Sequence, residues 1–86
     1  MQKLRPDMDI GTTIRNLRLQ NHLTQEEMIT KMQLLGCKLS RMTYSKMERN
    51  QYNIRISELV ALSIIFKVDF NAFFVDLTKE FKDIEI

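Results

Sequence analysis

The sequence predicts an all-α domain of five short helices, and three observations lead there. The 86 residues include only two glycines and one proline, too few for a chain of many tight hairpins. Apolar residues recur at intervals of three and four, the spacing that gathers side chains on one helical face. Capping residues precede those runs at Asp9, Thr24, Ser40 and Asp69. A chain of this size buries only about 60–65% of the surface its unfolded form exposes, so the core must be compact and there is one folded unit at most.

Residues 1–8 show no usable periodicity, and Pro6 discourages helix at Arg5. They are expected to form a flexible arm that offers Lys3 and Arg5 to phosphate, or else a terminus without function. Asp9 caps a first helix reaching Gln20, with Ile10, Ile14 and Leu17 on its inner face. Thr24 and Glu27 make a capping box for the second, and Glu26 and Glu27 lie in the first turn, where the helix dipole favours acids. Its buried stripe is Met28, Met32 and Leu35 with Ile29 beside it, and Gly36 ends it as a left-handed cap.

Cys37, Lys38 and Leu39 form the turn, and Ser40 opens a third helix with Tyr44 and Met47 inward and Arg41, Met42, Ser45, Lys46 and Arg49 outward. Asn50, which tolerates positive φ, is expected to end it. Residues 51–55 are loop with Ile54 tucked in, and the fourth helix spans 56–66 with Leu59, Leu62 and Phe66 buried. Asp69 caps a fifth, whose broad apolar face is Phe70, Phe73, Phe74 and Leu77, extended by Phe81 and Ile84.

Hydrophobic residues at 44% and charged residues at 28% belong to an ordinary globular protein rather than a disordered one. The single cysteine, Cys37, excludes an internal disulfide. No apolar run approaches a membrane span, and MQKLRPDMDI lacks a secretory apolar segment, so a cytoplasmic location is expected. Positive charge lies in the first segment and in the middle: residues 1–23 hold four basic side chains against two acids and 41–55 four against one, whereas 69–86 hold two against five. That asymmetry suits an anionic partner meeting one face, or a plain solvated surface. One histidine, His22, one cysteine, no metal-ligand spacing, no glycine-rich phosphate loop and no nucleophile motif argue against an enzyme, a metal site or a cofactor.

The segments IRNLRLQNHLTQEE and SRMTYSKMER resemble the Cro and phage-repressor type of helix-turn-helix protein, the Xre family, over residues 9–77. The resemblance implies a lambda-repressor-like DNA-binding domain at 9–77, after the arm at 1–8 and before a helical extension at 78–86. It also implies that the third helix enters the major groove while the second crosses the backbone. Two departures stand out: QLLGCK lengthens the connection between helices 2 and 3, and Asn50 stands where the family often has glycine.

By that resemblance Arg41, Met42, Thr43, Ser45 and Lys46 read bases. Arginine can grip guanine O6 and N7, lysine can reach the same atoms or phosphate, and Met42 or the Thr43 methyl can touch thymine methyl. Thr24 and Gln25 at the start of the second helix, with Arg15, Arg49, Asn53 and Arg55, are the expected DNA-backbone contacts. The alternative for each is a solvated side chain. Arg18 and Glu48 are implied as an ion pair joining the first and third helices. The reading is a sequence-specific transcription regulator of double-stranded DNA, a repressor acting as a homodimer through Phe70, Phe73, Phe74, Leu77, Phe81 and Ile84, with burial inside the monomer as the alternative. A rival is an antitoxin-like protein whose acidic tail engages a protein partner while the same motif autoregulates.

Overall fold

A computed structural model describes residues 3–4 and 9–79, with side chains from 9 to 75. The order is β1 (Lys3–Leu4), α1 (Gly11–Gln20), α2 (Gln25–Leu34), α3 (Arg41–Glu48), β2 (Ile54–Arg55), α4 (Ile56–Phe66) and α5 (Asn71–Lys79). Five helices carry the fold, and α3 packs on both α1 and α2 while α4 backs α1 and α2. The two short strands are additional to the all-helical expectation. They pair antiparallel, Lys3 with Arg55 and Leu4 with Ile54, which ties two residues of the expected arm to the loop after α3.

The helix starts follow their side-chain signals. At α2 the Thr24 hydroxyl accepts from the Glu27 amide at 3.1 Å and the Glu27 carboxylate accepts from the Thr24 amide at 2.9 Å. Those bonds hold the Glu27 carboxyl below its usual range. Ser40 caps α3 by accepting from the Thr43 amide at 3.1 Å. At α1 the cap position is Ile10 rather than the expected Asp9; Asp9, one residue earlier, accepts from the Thr12 amide at 3.0 Å and its hydroxyl at 2.7 Å, which lowers the Asp9 pKa.

The helix ends share one device. His22, Gly36, Asn50 and Lys67 all have positive φ, at 57°, 89°, 59° and 57°. At each, the amide of the next residue reaches back to a carbonyl five positions earlier: Leu23 to Arg18, Cys37 to Met32, Gln51 to Lys46 and Val68 to Ser63. Only one of the four is glycine.

This device corrects the inner stripe expected for α2. QLLGCK contributes the last two helical residues, Gln33 and Leu34, and the chain then reverses at Gly36. Leu35 therefore points outward, 45% exposed, and Cys37 and Leu39 enter the core in its place. Burial pushes the Cys37 thiol above its usual pKa. The rest of the core is Ile14, Met28, Met32, Tyr44, Met47, Ile54, Leu62 and their neighbours. Among the described residues no helix is long and apolar enough to cross a membrane.

The expected dimer face is also corrected at one position. Phe73 is 1% exposed and belongs to the monomer core, whereas Phe70 is exposed and Phe74 packs partly buried against that core. The side chain of Leu77 and the whole of Phe81 and Ile84 lie outside the described residues.

Candidate nucleic-acid interface

An eight-residue helix cannot hold itself in water; α3 is held from behind. Tyr44, Met47 and Glu48 form its buried side. Glu48, with only 3% of its side chain exposed, accepts four hydrogen bonds from three elements. Arg18 of α1 donates from Nε at 2.7 Å and Nη2 at 3.1 Å, Gln25 of α2 donates from Nε2 at 3.1 Å, and Tyr44 Oη donates at 2.6 Å. Arg18 also donates from Nη1 to the Leu23 carbonyl at 2.9 Å.

Electrostatics follow that geometry. Burial by itself raises the Glu48 pKa, but the bonds from Arg18, Tyr44 and Gln25 outweigh it and hold the carboxyl below the usual range. The Arg18 pKa is raised, chiefly by its hydrogen bonds to Glu48. Burial and the neighbouring carboxylate push the Tyr44 hydroxyl far above a normal phenol. The charged, fully bonded form of this network is thus the folded form at neutral pH.

Two further contacts were not visible in the sequence. Asn50 ends α3 with left-handed backbone, and its Oδ1 accepts from the amides of Ile10 at 3.1 Å and Gly11 at 3.2 Å. One residue thereby closes α3 and caps α1. A Cβ on Gly11 would sit 2.7 Å from the Met47 and Glu48 carbonyl oxygens and from the Asn50 amide nitrogen. Glycine is required there because two backbones meet. In the same region Glu58, buried on α4, accepts from Tyr52 Oη and from the Arg55 amide, both at 2.8 Å. Burial, then that bond, raises the Tyr52 pKa to about 12.

The opposite face of α3 carries Arg41, Met42, Ser45, Lys46 and the capping residue Arg49, spaced so that they share one surface. Met42 is 67% exposed, and Lys46 and Arg49 are exposed, while Ser45 is half-buried. Thr43 differs from the others expected to read bases. It turns to the rim, where its Oγ1 accepts from Ser40 Oγ at 3.0 Å. Arg41 Nη1 lies 3.1 Å from Glu26 Oε1 on α2.

At the head of α2 the capping box occupies the Thr24 and Glu27 amides, while the first-turn amides of Gln25 and Glu26 are beyond reach of any intrahelical carbonyl. They border a shallow cleft lined by Arg18, His22, Gln25, Glu26 and Arg41. The Gln25 side chain is turned to Glu48 rather than outward. Arg15, Asn53 and Arg55 are exposed.

The helix-turn-helix family model matches residues 14–73. One similar solved structure is the restriction-modification controller protein C.AhdI from Aeromonas hydrophila, with a TM-score of 0.64 and 25% identity, covering 76% of this chain and 91% of that one. Another is a tyrosine-to-phenylalanine mutant of the restriction-modification controller protein C.Esp1396I, with a TM-score of 0.64 and 29% identity, covering 88% and 90%. A sequence search against curated proteins finds no match. With its family model spanning α1 to α5 through the α2–α3 pair just described, the chain belongs to the helix-turn-helix family.

Proposed function

We propose that the protein is a sequence-specific, double-stranded DNA-binding transcription regulator that represses by occupying its site. The observation that carries this reading is the two-sided α3: an inner side tied to α1 and α2 through Glu48, and an outer side bearing Arg41, Met42, Ser45 and Lys46. Such a helix is presented rigidly, as a major-groove reader must be. The likeness to two restriction-modification controller proteins supports a regulatory role rather than catalysis. Gln25 and Glu26 amides at the head of α2, with Arg15, Arg49, Asn53 and Arg55, are the proposed phosphate contacts that fix register.

One α3 spans few base pairs, so the functional unit is a homodimer on a pseudo-palindrome. The surface proposed for it is the exposed α4 stripe of Ile56, Val60 and Ile64, continued by Phe70 and Phe74. Spaced by four, the α4 residues lie on one line of the helix, and exposed apolar patches of this kind mark association surfaces. Ile64→Glu should convert the dimer to monomer in sedimentation equilibrium; an unchanged mass would move the interface elsewhere.

Selection of bound duplexes from a random library tests the main reading. The wild type should enrich one motif with two related halves, and enrichment of none would sink the assignment. Against that motif Arg41→Ala or Lys46→Ala should lose about 1–3 kcal/mol of discrimination at single base pairs. An equal loss on every sequence would make either residue a phosphate contact instead.

A further inference from the structure

Arg41, the outermost cation at the start of α3, is engaged in the free protein. Its Nη1 lies 3.1 Å from Glu26 Oε1, and both side chains are largely exposed, at 74% and 72%. Glu26 has no capping duty: Glu27 closes the box with Thr24, and Gln25 braces Glu48. Arg18, the other cation beside the cleft, is bonded to Glu48 and to the Leu23 carbonyl. Glu26 and Arg41 therefore pair across the α2–α3 junction on the surface that faces DNA in the reading above, on which this inference rests.

We propose that Glu26 is an intramolecular competitor of DNA for Arg41 and sets operator affinity. Its carboxylate presents two acceptor atoms side by side, as a guanine edge does through O6 and N7 and a phosphate does through its free oxygens. For Arg41 to reach DNA the pair must open, so every operator complex loses whatever the pair contributed to the free protein. An exposed pair is weak, so the loss is a tuning of affinity rather than a block. When Arg41 leaves, the Glu26 charge remains in the first turn of α2, close to the proposed phosphate contacts. The two effects act in the same direction and differ in one respect: only competition needs Arg41.

A double-mutant cycle separates them, using fluorescence anisotropy with the duplex enriched by the wild-type protein. Glu26→Gln keeps the side chain's size and removes its charge at an exposed position. It should tighten binding about 1.4- to five-fold in low salt, the range set by an exposed ion pair. In an Arg41→Ala background the same change should give a clearly smaller gain, what remains being the relieved repulsion between Glu26 and phosphate. A gain of equal size without Arg41 would overturn the proposal in favour of plain repulsion between Glu26 and phosphate. No gain with Arg41 present, or weaker binding, would overturn it as well, weaker binding meaning that Glu26 aims Arg41 at its base. These failures differ from failure of the regulator reading, in which the wild type itself enriches no duplex.

Discussion

Asn50 separates two explanations of the same residue. If it is present only because the chain needs a left-handed conformation after α3, glycine should serve as well or better, since glycine reaches φ near 59° without steric cost. If it is present because its Oδ1 serves the Ile10 and Gly11 amides, glycine should be worse. Both amides belong to buried residues at the start of α1, where Ile10 and Gly11 face the end of α3. A net hydrogen bond contributes about 0.5–1.5 kcal/mol, so losing two costs about 1–3 kcal/mol, from which glycine recovers some backbone ease. Asn50→Gly should therefore destabilise by about 1–2 kcal/mol, or 4–16 °C in a domain of this size. Asn50→Ala, which loses the acceptor and strains the backbone, should cost about 1 kcal/mol more. Asn50→Asp keeps an acceptor, and its charge is favoured by the α1 dipole and opposed by the α3 dipole, so it should lose less than glycine. Thermal and urea melts of the three variants should give the order Asp, Gly, Ala, from most to least stable. Glycine equal to or above asparagine would refute the double role and leave only the left-handed requirement.

The remaining predictions concern the same support. Glu48→Gln leaves the guanidinium of Arg18 buried without its counter-charge and should cost about 3 kcal/mol, whereas Tyr44→Phe removes one bond to a carboxylate and should cost about 1–2 kcal/mol; urea midpoints in the reverse order would contradict the network. Because the folded Glu48 pKa is lowered, its contribution is present above the normal carboxylate range and is lost as pH falls through the folded value. Melts should therefore lose stability on acidification more steeply in the wild type than in Glu48→Gln. Gly11→Ala should destabilise by about 1–3 kcal/mol despite alanine's better helix propensity, because what it strikes is backbone; a raised melting temperature would mean α1 and α3 can part freely. Gly36→Ala has open space around it, so its cost should be that of left-handed backbone alone, about 1–2 kcal/mol, while Lys67→Gly should gain up to about 1 kcal/mol.

What the residues alone made legible was local; the long-range pair of Arg18 and Glu48, 30 residues apart and present at 2.7 Å, was implied by the family resemblance instead. Thr24 with Glu27, and Ser40 before Arg41, are bonds between residues three apart, and they sit where the caps and periodicity placed them. Gly36 ends α2 by the backbone freedom that the sequence displays. Extrapolation failed where tertiary structure decides. Leu35 continued the α2 period on paper, but the reversal at Gly36 removed it from the helix and folded Cys37 and Leu39 inward. His22 and Lys67 end helices as Gly36 does, yet neither residue type announces a left-handed turn. The Asn50 cap spans 40 residues, the Arg41–Glu26 bond 15, and the Gly11 contact joins backbones that only the packed fold brings together. Phe73 could not be told from Phe70 by spacing, because one apolar stripe serves either a core or a partner until a core exists to claim it.

The bare contact at Gly11 bears on how the protein changes over time. The buried anchorage of α3 is all on its inner side: a glycine that acts as a spacer, an amide that clamps, and a carboxylate that ties three helices. Arg41, Met42 and Lys46 take no part in that inner anchorage. Mutation can therefore rewrite the outer face residue by residue, exchanging one DNA sequence for another, while the helix that presents it keeps its place.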